Sequence, residues 1–312
     1  MDRVMFSIVI PAYNEESVID ECHRRLTQTL RAMGEPYELI FVNDGSRDHT
    51  VERIEALCDR DPCVKLVSLS RNHGHQLAVS AGLDHAAGEA IVIIDADLQD
   101  PPEIIPEMVK LWKEGYDVVY GKRKKRPEGE RFFKRVTAYG FYRLLNAMTD
   151  CPIPVDTGDF RLVSRKAADA VRAMPEHNRY LRGMFSWIGF KQTPIEFDRD
   201  KRFSGETKYT LKKMLQLAGN GIFSFSSKPL SLIGLSGVAF GALGVLWLLI
   251  LLICLLCGVR GLGLSALAAL LVLCTGCILA AMGTVGTYVG RIYEEAKGRP
   301  LYLISKTKGF EK

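Results

Sequence analysis

The sequence lacks charged residues over two long stretches near its C-terminal end. No Asp, Glu, Lys or Arg occurs in residues 229–259, and after Arg260 none occurs in residues 261–290. A helix needs about 20 apolar residues to cross a bilayer, so each stretch is long enough to do so. The short glycine-rich segment Gly258–Gly263 between them is typical of a turn. The sequence therefore predicts a transmembrane hairpin of two antiparallel helices, in preference to the buried helical hairpin of a soluble protein.

Basic residues flank this hairpin on both sides, whereas the turn contains only Arg260. Those before it are Lys201, Arg202, Lys208, Lys212, Lys213 and Lys228, and those after it are Arg291, Lys297, Arg299, Lys306, Lys308 and Lys312. Loops rich in Lys and Arg stay on the cytoplasmic side of a membrane. We therefore expect an integral protein of the cytoplasmic membrane, with both termini and any catalytic domain in the cytoplasm and no signal peptide.

The sequence also lacks the glycine-rich loops with which many proteins bind phosphate. No G-x-x-x-x-G-K-[ST] run occurs, and the first strand-like segment is followed by Pro11-Ala-Tyr-Asn-Glu-Glu16 in place of a glycine-rich turn. This excludes the P-loop and dinucleotide-binding fingerprints. If the protein binds a diphosphate, the positive charge must come from another source.

Signals for nucleic acid, zinc and disulfides are weak. The net charge is +5, and the basic residues cluster beside the apolar stretches without a basic-aromatic motif, so we expect no nucleic-acid partner. The 8 cysteines include Cys254-Leu-Leu-Cys257 and Cys274-Thr-Gly-Cys277, but both pairs lie within the apolar stretches. Free cysteine packs there as a small apolar side chain, so we expect neither a zinc site nor a disulfide framework.

The first 121 residues alternate short β-branched runs with amphipathic stretches, which is typical of βαβ units and a parallel sheet. The predicted strands are Phe6–Ile10, Tyr37–Val42, Val64–Leu69, Ala90–Ile94 and Asp117–Tyr120. Polar clusters follow the first four strands, and they are Pro11–Glu16, Asn43–Asp48, Ser70–Gly74 and Asp95–Asp100. In an open α/β sheet, ligands bind outside the carboxyl ends of the strands. The four clusters should therefore converge on one crevice.

The last cluster contains two carboxylates, Asp95 and Asp97, and the amide of Gln99. Hard oxygen ligands of this kind favour Mg²⁺ or Mn²⁺, and such a cation would bridge the phosphates of a nucleotide. The pattern Asp-x-Asp is weak by itself, because a pair of aspartates after a strand also caps turns and helices. The residues alone leave both interpretations open.

Six motifs, taken in chain order, resemble those of glycosyltransferase family 2. They are Ser7–Glu16, Phe41–Asp48, Ser70–Gly74, Ile94–Glu103, Asp156–Arg161 and Arg202–Tyr209. The resemblance extends over essentially the whole chain and is strongest to the polyprenyl-phosphate glycosyltransferases, which include bactoprenol glucosyltransferases and dolichol-phosphate mannose synthases. It implies transfer of one sugar, with UDP-glucose the favoured donor, to a polyprenyl (undecaprenyl) phosphate, with inversion at the anomeric carbon.

The resemblance also implies roles for individual residues. The nucleotide-sugar site would comprise Pro11, Ala12, Tyr13, Glu15, Val42, Asp44, Asp95, Ala96 and Asp97, and the metal ligands would be Asp95, Asp97 and Gln99. Tyr13 offers a flat face to a base, and a carboxylate accepts hydrogen bonds from ribose. For Tyr13 and Glu15 the alternative is an ordinary turn that leads into a helix whose first residues are acidic.

For the acceptor phosphate, the resemblance favours Arg123, Arg135, Arg202 and Lys208. Arg and Lys are the usual side chains that bind phosphate, although basic runs near a membrane also attract anionic lipid. The catalytic candidates are Asp97 and Asp159, the latter being the base that the family implies. A phosphate monoester is largely a dianion at neutral pH, so we expect Asp159 to orient a substrate as much as to remove a proton. A simple turn aspartate after Gly158 is the alternative.

These interpretations give a fold class and four segments. We expect an α/β, GT-A-like Rossmann-type domain with a mostly parallel sheet over residues 1–204, juxtamembrane interfacial helices over 205–229, two transmembrane helices over 230–290 and a basic cytoplasmic tail over 291–312. A homo-oligomer is possible through the apolar helices or the strand-like segment Pro300–Ser305. Gly237/Gly241 and Gly286/Gly290 form small-xxx-small pairs that predict close helix packing, either within the hairpin or between protomers.

Two other functions fit the same motifs less well. A processive polysaccharide synthase would need a translocation pore, commonly with more membrane spans, and a catalytically silent membrane assembly subunit would be expected to have lost the carboxylates at 95 and 97. The sequence determines neither the sugar nor the base nor the prenyl chain length, because single contacts change each of them without altering the motifs.

Overall fold

The computed structural model describes residues 4–124, 157–198, 228–257 and 263–310. The strands in these parts of the chain are β1 (Phe6–Ala12), β2 (Tyr37–Asn43), β3 (Val64–Leu69), β4 (Ala90–Ile93), β5 (Val118–Arg123), β6 (Thr157–Ser164), β7 (Gln192–Phe197) and β8 (Ile304–Lys308). The helices are α1 (Ile19–Met33), α2 (Thr50–Arg60), α3 (His75–His85), α4 (Ile105–Lys113), α5 (Arg165–Arg172), α6 (Leu181–Trp187), α7 (Lys228–Leu256) and α8 (Gly263–Ala296). A 3₁₀ turn, Pro102–Ile104, precedes α4.

The described strands form one mixed sheet in the order β7-β5-β6-β4-β1-β2-β3-β8. β1 is parallel to β2 and β4, and β2 is parallel to β3. β6 runs antiparallel to β4 and β5, and β8 runs antiparallel to β3. The five predicted strands are confirmed, with ends that differ by a few residues, and the predicted α/β domain with a mostly parallel, GT-A-like sheet is confirmed with them.

The core lies on both faces of the sheet because neighbouring residues of a strand point to opposite faces. In β1, Ile8 and Ile10 pack on the face that α1, α2 and α4 cover, whereas Val9 packs with α3, α5 and α6 on the other face. α3 lies very close to β1, since a Cβ added at Gly82 would overlap the side chain of Val9. This close packing fixes the position of α3, whose first residue, His75, lies in the candidate site.

The predicted membrane segment is only partly supported. Within the described residues, one helical segment, Leu273–Ala296 of α8, is long and apolar enough to cross a membrane, and it is not buried against the rest of the chain. α7 contributes a shorter apolar stretch, Leu232–Trp247. The predicted turn at 258–263 lies almost entirely outside the described residues, as do the juxtamembrane helices, so the two-helix hairpin stays a prediction.

Three glycines of the predicted pairs, Gly237, Gly286 and Gly290, do not pack closely within the chain. A Cβ added at Gly237, Gly286 or Gly290 would have no heavy atom within 4 Å. Small residues favour helix association only where another helix approaches them closely. For these three residues, the prediction of close packing within one hairpin is therefore wrong. The alternative, packing between protomers, stays a prediction.

The predicted boundary at residue 290 falls inside α8, which continues to Ala296. The predicted tail then contributes β8 to the sheet, where it pairs with β3 of the same chain. Pairing within the chain occupies the β3 edge that an oligomer would otherwise use. The segment after the apolar helix is thus an integral part of the α/β domain and not a separate tail.

Candidate active site

The loops after β1 and β2 are joined by hydrogen bonds that shape one side of the crevice. The Asn14 N–H donates to the Ser46 hydroxyl at 3.0 Å, and the Arg47 N–H donates to the Asn14 side chain at 2.9 Å. Asn14 has a positive φ of 54°, a conformation that asparagine adopts more readily than most residues. The Glu16 carboxylate accepts from the His49 N–H at 2.9 Å. The predicted convergence of the first two polar clusters is confirmed.

Asp44 holds the third cluster against the second. Its carboxylate accepts from the N–H groups of His73 at 2.7 Å and Gly74 at 2.9 Å, and the side chain is buried. Burial raises the pKa of Asp44, although the two backbone hydrogen bonds oppose this shift. Both carboxylate oxygens of Asp44 accept hydrogen bonds from the backbone of the loop after β3, so Asp44 shapes the wall of the crevice. A contact between Asp44 and ribose would have to share these oxygens.

The joined loops enclose an open pocket of about 370 Å³. Its lining residues are Tyr13, Asn43, Gly45, Ser46, Arg47, Val51, Ser68, Leu69, Ser70, Arg71 and Asn72. Tyr13 is exposed, as a residue that stacks on a base must be. Gly45 has a φ of 68°, and a Cβ there would lie 2.5 Å from backbone atoms of Arg71 and Asn72. Only glycine at residue 45 therefore allows the loop after β2 to approach the loop after β3 this closely.

Three predicted nucleotide-sugar residues lie beneath the surface of the crevice. Pro11 and Ala12 are buried in β1, and Val42 is buried in β2 with its side chain in the core. None of the three is among the lining residues. Their contribution to this pocket is to position the loops that follow, because their side chains are occupied by packing within the domain.

A second group of polar side chains lies just after the carboxyl end of β4, near the amino end of β6 and at the start of α3. His75 Nε2 lies 3.1 Å from Asp159 Oδ2 and 3.7 Å from Asp95 Oδ1. Arg182 of α6 forms two hydrogen bonds with Asp159, from Nε to Oδ1 at 2.8 Å and from Nη2 to Oδ2 at 3.3 Å. The fourth predicted cluster and the β6 motif therefore meet at one point.

The charges of this group alter one another's pKa values. Burial by itself would raise the pKa of Asp159, but Arg182 and His75 outweigh burial and hold it well below its usual value. Burial would lower the pKa of His75, but Asp95 and Asp159 raise it to about 9. The pKa of Asp95 is raised by burial and by the neighbouring carboxylates of Asp159 and Asp97. Asp159 is thus a stable anion in an ion pair, which makes it a poor proton acceptor.

The turn after β4 presents the predicted metal residues. Leu98 is buried with a positive φ of 56°, which is strained for a bulky residue. Asp97 Oδ1 accepts from the Gln99 N–H at 3.1 Å, so the turn-capping alternative describes this aspartate correctly. Ala96 between the two aspartates is buried.

The donor set fits a divalent cation in one particular way. Among the described residues, no group of three or more His, Cys, Asp or Glu side chains is arranged to hold a metal ion. Mg²⁺ is usually bound by one or two carboxylates together with substrate phosphates, so a complete cage of protein ligands is unnecessary. Asp95 carries a raised pKa beside other carboxylates, and such crowding of negative charge is what a cation relieves. Asp95 and Asp97 therefore fit a cation that arrives with a phosphate-bearing ligand.

Of the predicted acceptor residues, only Arg123 is described. It lies in β5, and a Cβ added at Gly158 would be 3.5 Å from Arg123 Nη2 and 3.8 Å from Asp100 Oδ2. Arg123 thus lies beside the β6 motif that carries Asp159. Arg135, Arg202 and Lys208 lie outside the described residues.

Sequence reasoning missed His75, Arg161 and Arg182 as members of the site. His75 follows the Ser70–Gly74 motif directly, whereas Arg161 is itself the last residue of the motif Asp156–Arg161 but was assigned no role. Arg161 is buried and binds the carbonyl groups of Gly158 and Asp159, each at 3.2 Å. No signal marked Arg182, because it reaches Asp159 only through the packing of α6.

Several known proteins are similar to this chain. Residues 7–172 match the model of the family described as Glycosyl transferase family 2. The chain is 51% identical to an uncharacterized glycosyltransferase of Bacillus subtilis, with 99% of this chain and 96% of that protein covered. It is 39% identical to the bactoprenol glucosyl transferase of Shigella phage SfV, with 97% and 98% covered. It is also similar to the solved glucosyl-3-phosphoglycerate synthase of Mycobacterium tuberculosis in complex with Mn²⁺ and UDP, at 20% identity and a TM-score of 0.49 over 70% of this chain and 78% of that one.

Proposed function

The chain belongs to glycosyl transferase family 2 and is a glycosyltransferase, and on this premise we propose that it transfers one glucose from UDP-glucose to undecaprenyl phosphate at the cytoplasmic face of the membrane. The bactoprenol glucosyl transferases, at 39% identity over nearly the whole chain, support a polyprenyl phosphate as the acceptor. The product would be a lipid-linked sugar that serves the cell envelope.

One observation carries this proposal. The pocket and the predicted metal ligands lie side by side, at the carboxyl ends of three strands that are neighbours in the sheet. The pocket residues Tyr13 and Gly45 follow β1 and β2, and the carboxylates of Asp95 and Asp97 follow β4. A nucleotide placed with its base in the pocket would direct its diphosphate toward those carboxylates. The aspartates need a cation to accept that diphosphate, and a divalent cation bound there would neutralise the charge that develops on the leaving group.

The residues around Asp159 suit an acceptor that is itself a phosphate. A hydroxyl acceptor requires a general base, but the ion pairs with Arg182 and His75 stabilise the Asp159 carboxylate and make it a weak base. A phosphate monoester, with a second pKa of about 6, needs no strong base at neutral pH. In this proposal Asp159, with its partners, orients the acceptor or the sugar, while Arg123, Arg135, Arg202 and Lys208 bind the acceptor phosphate.

The membrane segment would hold the site at the height of the lipid headgroups. We infer that α7 and α8 both cross the membrane, with the α/β domain and both termini on the cytoplasmic side. The basic residues that flank them support this orientation. A polyprenyl phosphate presents its phosphate at the same level.

The test is a substrate panel with purified protein in neutral detergent. UDP-glucose, other UDP-sugars and GDP-sugars are each incubated with undecaprenyl phosphate and with Mg²⁺, Mn²⁺ or EDTA. We expect a glucosylated lipid from UDP-glucose only in the presence of a divalent cation, with the anomeric configuration inverted. Transfer to a soluble hydroxyl acceptor in preference to the lipid, or full activity in EDTA, would contradict the proposal.

A further inference from the structure

The chain returns from α8 to the sheet edge beside the nucleotide pocket. We call residues 297–310 the return segment. Within it, β8 pairs with β3 so that Lys306 lies opposite Ser68 and Ile304 lies opposite Leu69. The pairing shifts register between Ser68 and Leu69, at the end of β3 nearest the pocket.

Hydrogen bonds extend this contact beyond the strand pairing. The Ser70 N–H donates to the Leu303 carbonyl at 2.8 Å. The Ser305 hydroxyl lies 3.0 Å from the Ser68 carbonyl and 3.4 Å from the Leu69 carbonyl, so it donates to this end of β3. The return segment therefore binds the backbone of three successive residues, 68 to 70.

The same three residues line the pocket. Ser68 also accepts a hydrogen bond from the Asn43 side chain at 2.9 Å, which joins it to the end of β2. The loop that starts at Ser70 is held at its far end by Asp44, through the N–H groups of His73 and Gly74. At its near end it is held by Leu303. The wall of the pocket is thus fixed from both ends, and one of the two supports comes from the return segment.

We propose that the return segment is a positioning element of the donor pocket, so that nucleotide affinity depends on the docking of β8 against β3. This inference rests on the proposed function, since it takes the pocket to hold the nucleotide of the donor. Pre-organised walls bind a ligand more tightly than walls that must be ordered on binding. The return segment is continuous with α8. It therefore connects the helix that leaves the membrane with the wall of the donor pocket.

Contacts at both ends hold the return segment in place. At its start, His177 Nε2 lies 2.6 Å from the Arg299 carbonyl, and Nδ1 of the same histidine lies 2.8 Å from Oε2 of Glu295 in the last turn of α8. At its end, the Phe310 ring packs against His85. Between them, the Tyr302 hydroxyl donates to Asp84 at 2.6 Å. These contacts hold the return segment itself in place. Within the segment, Leu303 and Ser305 support the wall residues, 68 to 70.

A substitution at Gly309 would displace β8 without altering any residue that lines the pocket. It has a φ of 82°, and a Cβ there would lie 2.5 Å from the Val64 carbonyl oxygen and 3.2 Å from the Lys65 Cα. Gly298 has a φ of 58°, but a Cβ there would meet nothing within 4 Å. Gly309→Ala and Gly298→Ala therefore share the conformational strain, and only the first forces the segment away from β3.

The experiment uses the full chain in detergent, with UDP in the presence of Mn²⁺ as the probe. Calorimetry measures the Kd for UDP, and hydrogen exchange of the Ser70 amide reports whether the segment is docked. For Gly309→Ala we expect faster exchange at Ser70 and a Kd raised about tenfold, as expected when a binding loop loses its order. Ser305→Ala should raise the Kd to a smaller extent in the same direction, and Gly298→Ala should leave both measurements at their wild-type values.

Several outcomes would overturn the inference. One is faster Ser70 exchange in Gly309→Ala with an unchanged Kd. Another is a raised Kd while Ser70 stays protected, and a third is no change in either measurement. Failure of the proposed donor would look different, because the wild-type chain itself would then not bind UDP.

Discussion

The Arg182 guanidinium binds both carboxylate oxygens of Asp159, at 2.8 Å from Nε and 3.3 Å from Nη2. Both side chains are mostly buried, with 19% and 13% of their surfaces exposed. Removing one partner of a buried ion pair leaves the other charge without compensation, and the resulting loss of stability is larger than the net contribution of the pair. In the proposed function, Asp159 orients a substrate through this fixed geometry.

Arg182→Ala should therefore lower kcat at least about tenfold while nucleotide affinity changes little. The loss follows from the misplacement of Asp159, and Arg182→Lys should recover only part of it because lysine lacks the planar two-point geometry. Arg24→Ala is the matched control, since Arg24 pairs with Glu21 on the exposed surface of α1. Steady-state kinetics and UDP calorimetry measure the two effects, and wild-type kinetics for Arg182→Ala would refute the role of the pair.

Asp97→Asn should abolish transfer. In the proposed function, the substitution removes a charged oxygen ligand from a site that holds a cation beside a diphosphate. Asp20→Asn, which alters a surface pair with Arg53, should keep wild-type activity. Activity is measured over a range of Mn²⁺ concentrations and in EDTA, and full activity of Asp97→Asn in EDTA would contradict the prediction.

Gly45→Ala should weaken the binding of UDP, because its Cβ would overlap the backbone of Arg71 and Asn72 and push the two loops of the pocket apart. Gly34 also has a left-handed φ, of 72°, but open space lies around its Cβ. Gly34→Ala should therefore lose about 1 kcal/mol of folding stability from conformational strain and keep its UDP affinity. Calorimetry and thermal unfolding compare the variants; equal UDP affinity in both would show that the loops tolerate separation.

Arg202→Ala and Lys208→Ala should raise the KM for polyprenyl phosphate or lower kcat about tenfold, because each removes the charge-assisted hydrogen bond that the proposed function assigns to it. Nucleotide affinity should barely change. A cation that merely attracts anionic lipid would contribute about 1 kcal/mol to membrane association and nothing to catalysis. Kinetics in neutral detergent separate the two roles, and loss of nucleotide binding in either variant would show that the acceptor assignment is wrong.

The contact between His177 and Glu295 should weaken as the pH rises. The hydrogen bond to Glu295 is the main cause that raises the pKa of His177, followed by the bond to the Arg299 carbonyl. A histidine with a raised pKa stabilises the folded state fully below its unfolded pKa of about 6.5, and this contribution is lost as the pH rises through the folded value. His177→Gln should therefore lower the thermal midpoint at pH 5.5 and have little effect at pH 9. An equal effect at both pH values would mean that the charge of His177 is not involved.

Much of the fold follows from local pattern. The strands β1 to β5 are marked by β-branched runs that end in polar clusters, and this pattern depends only on neighbouring residues. β7 was not predicted because Gln192–Phe197 has only two apolar residues besides its proline. β8 was predicted only in part, since the strand-like segment Pro300–Ser305 overlaps it at Ile304 and Ser305, and the Lys-Thr-Lys that follows does not distinguish an edge strand from a loop. These two strands form because a sheet edge is available to them.

The sequence by itself determined the family, the two apolar stretches and the polar clusters, because each is encoded in residues that are close together in the chain. Only the tertiary structure decided that Arg182 and His75 hold Asp159, and that the return segment supports Ser68 to Ser70. These contacts join residues far apart in the chain, such as Ser68 and Ser305, whose separation is closed only when α3, α6 and β8 pack against the sheet. Local periodicity specifies which residues face the core, but the partners of a buried charge or a sheet edge are selected by the packing of whole elements.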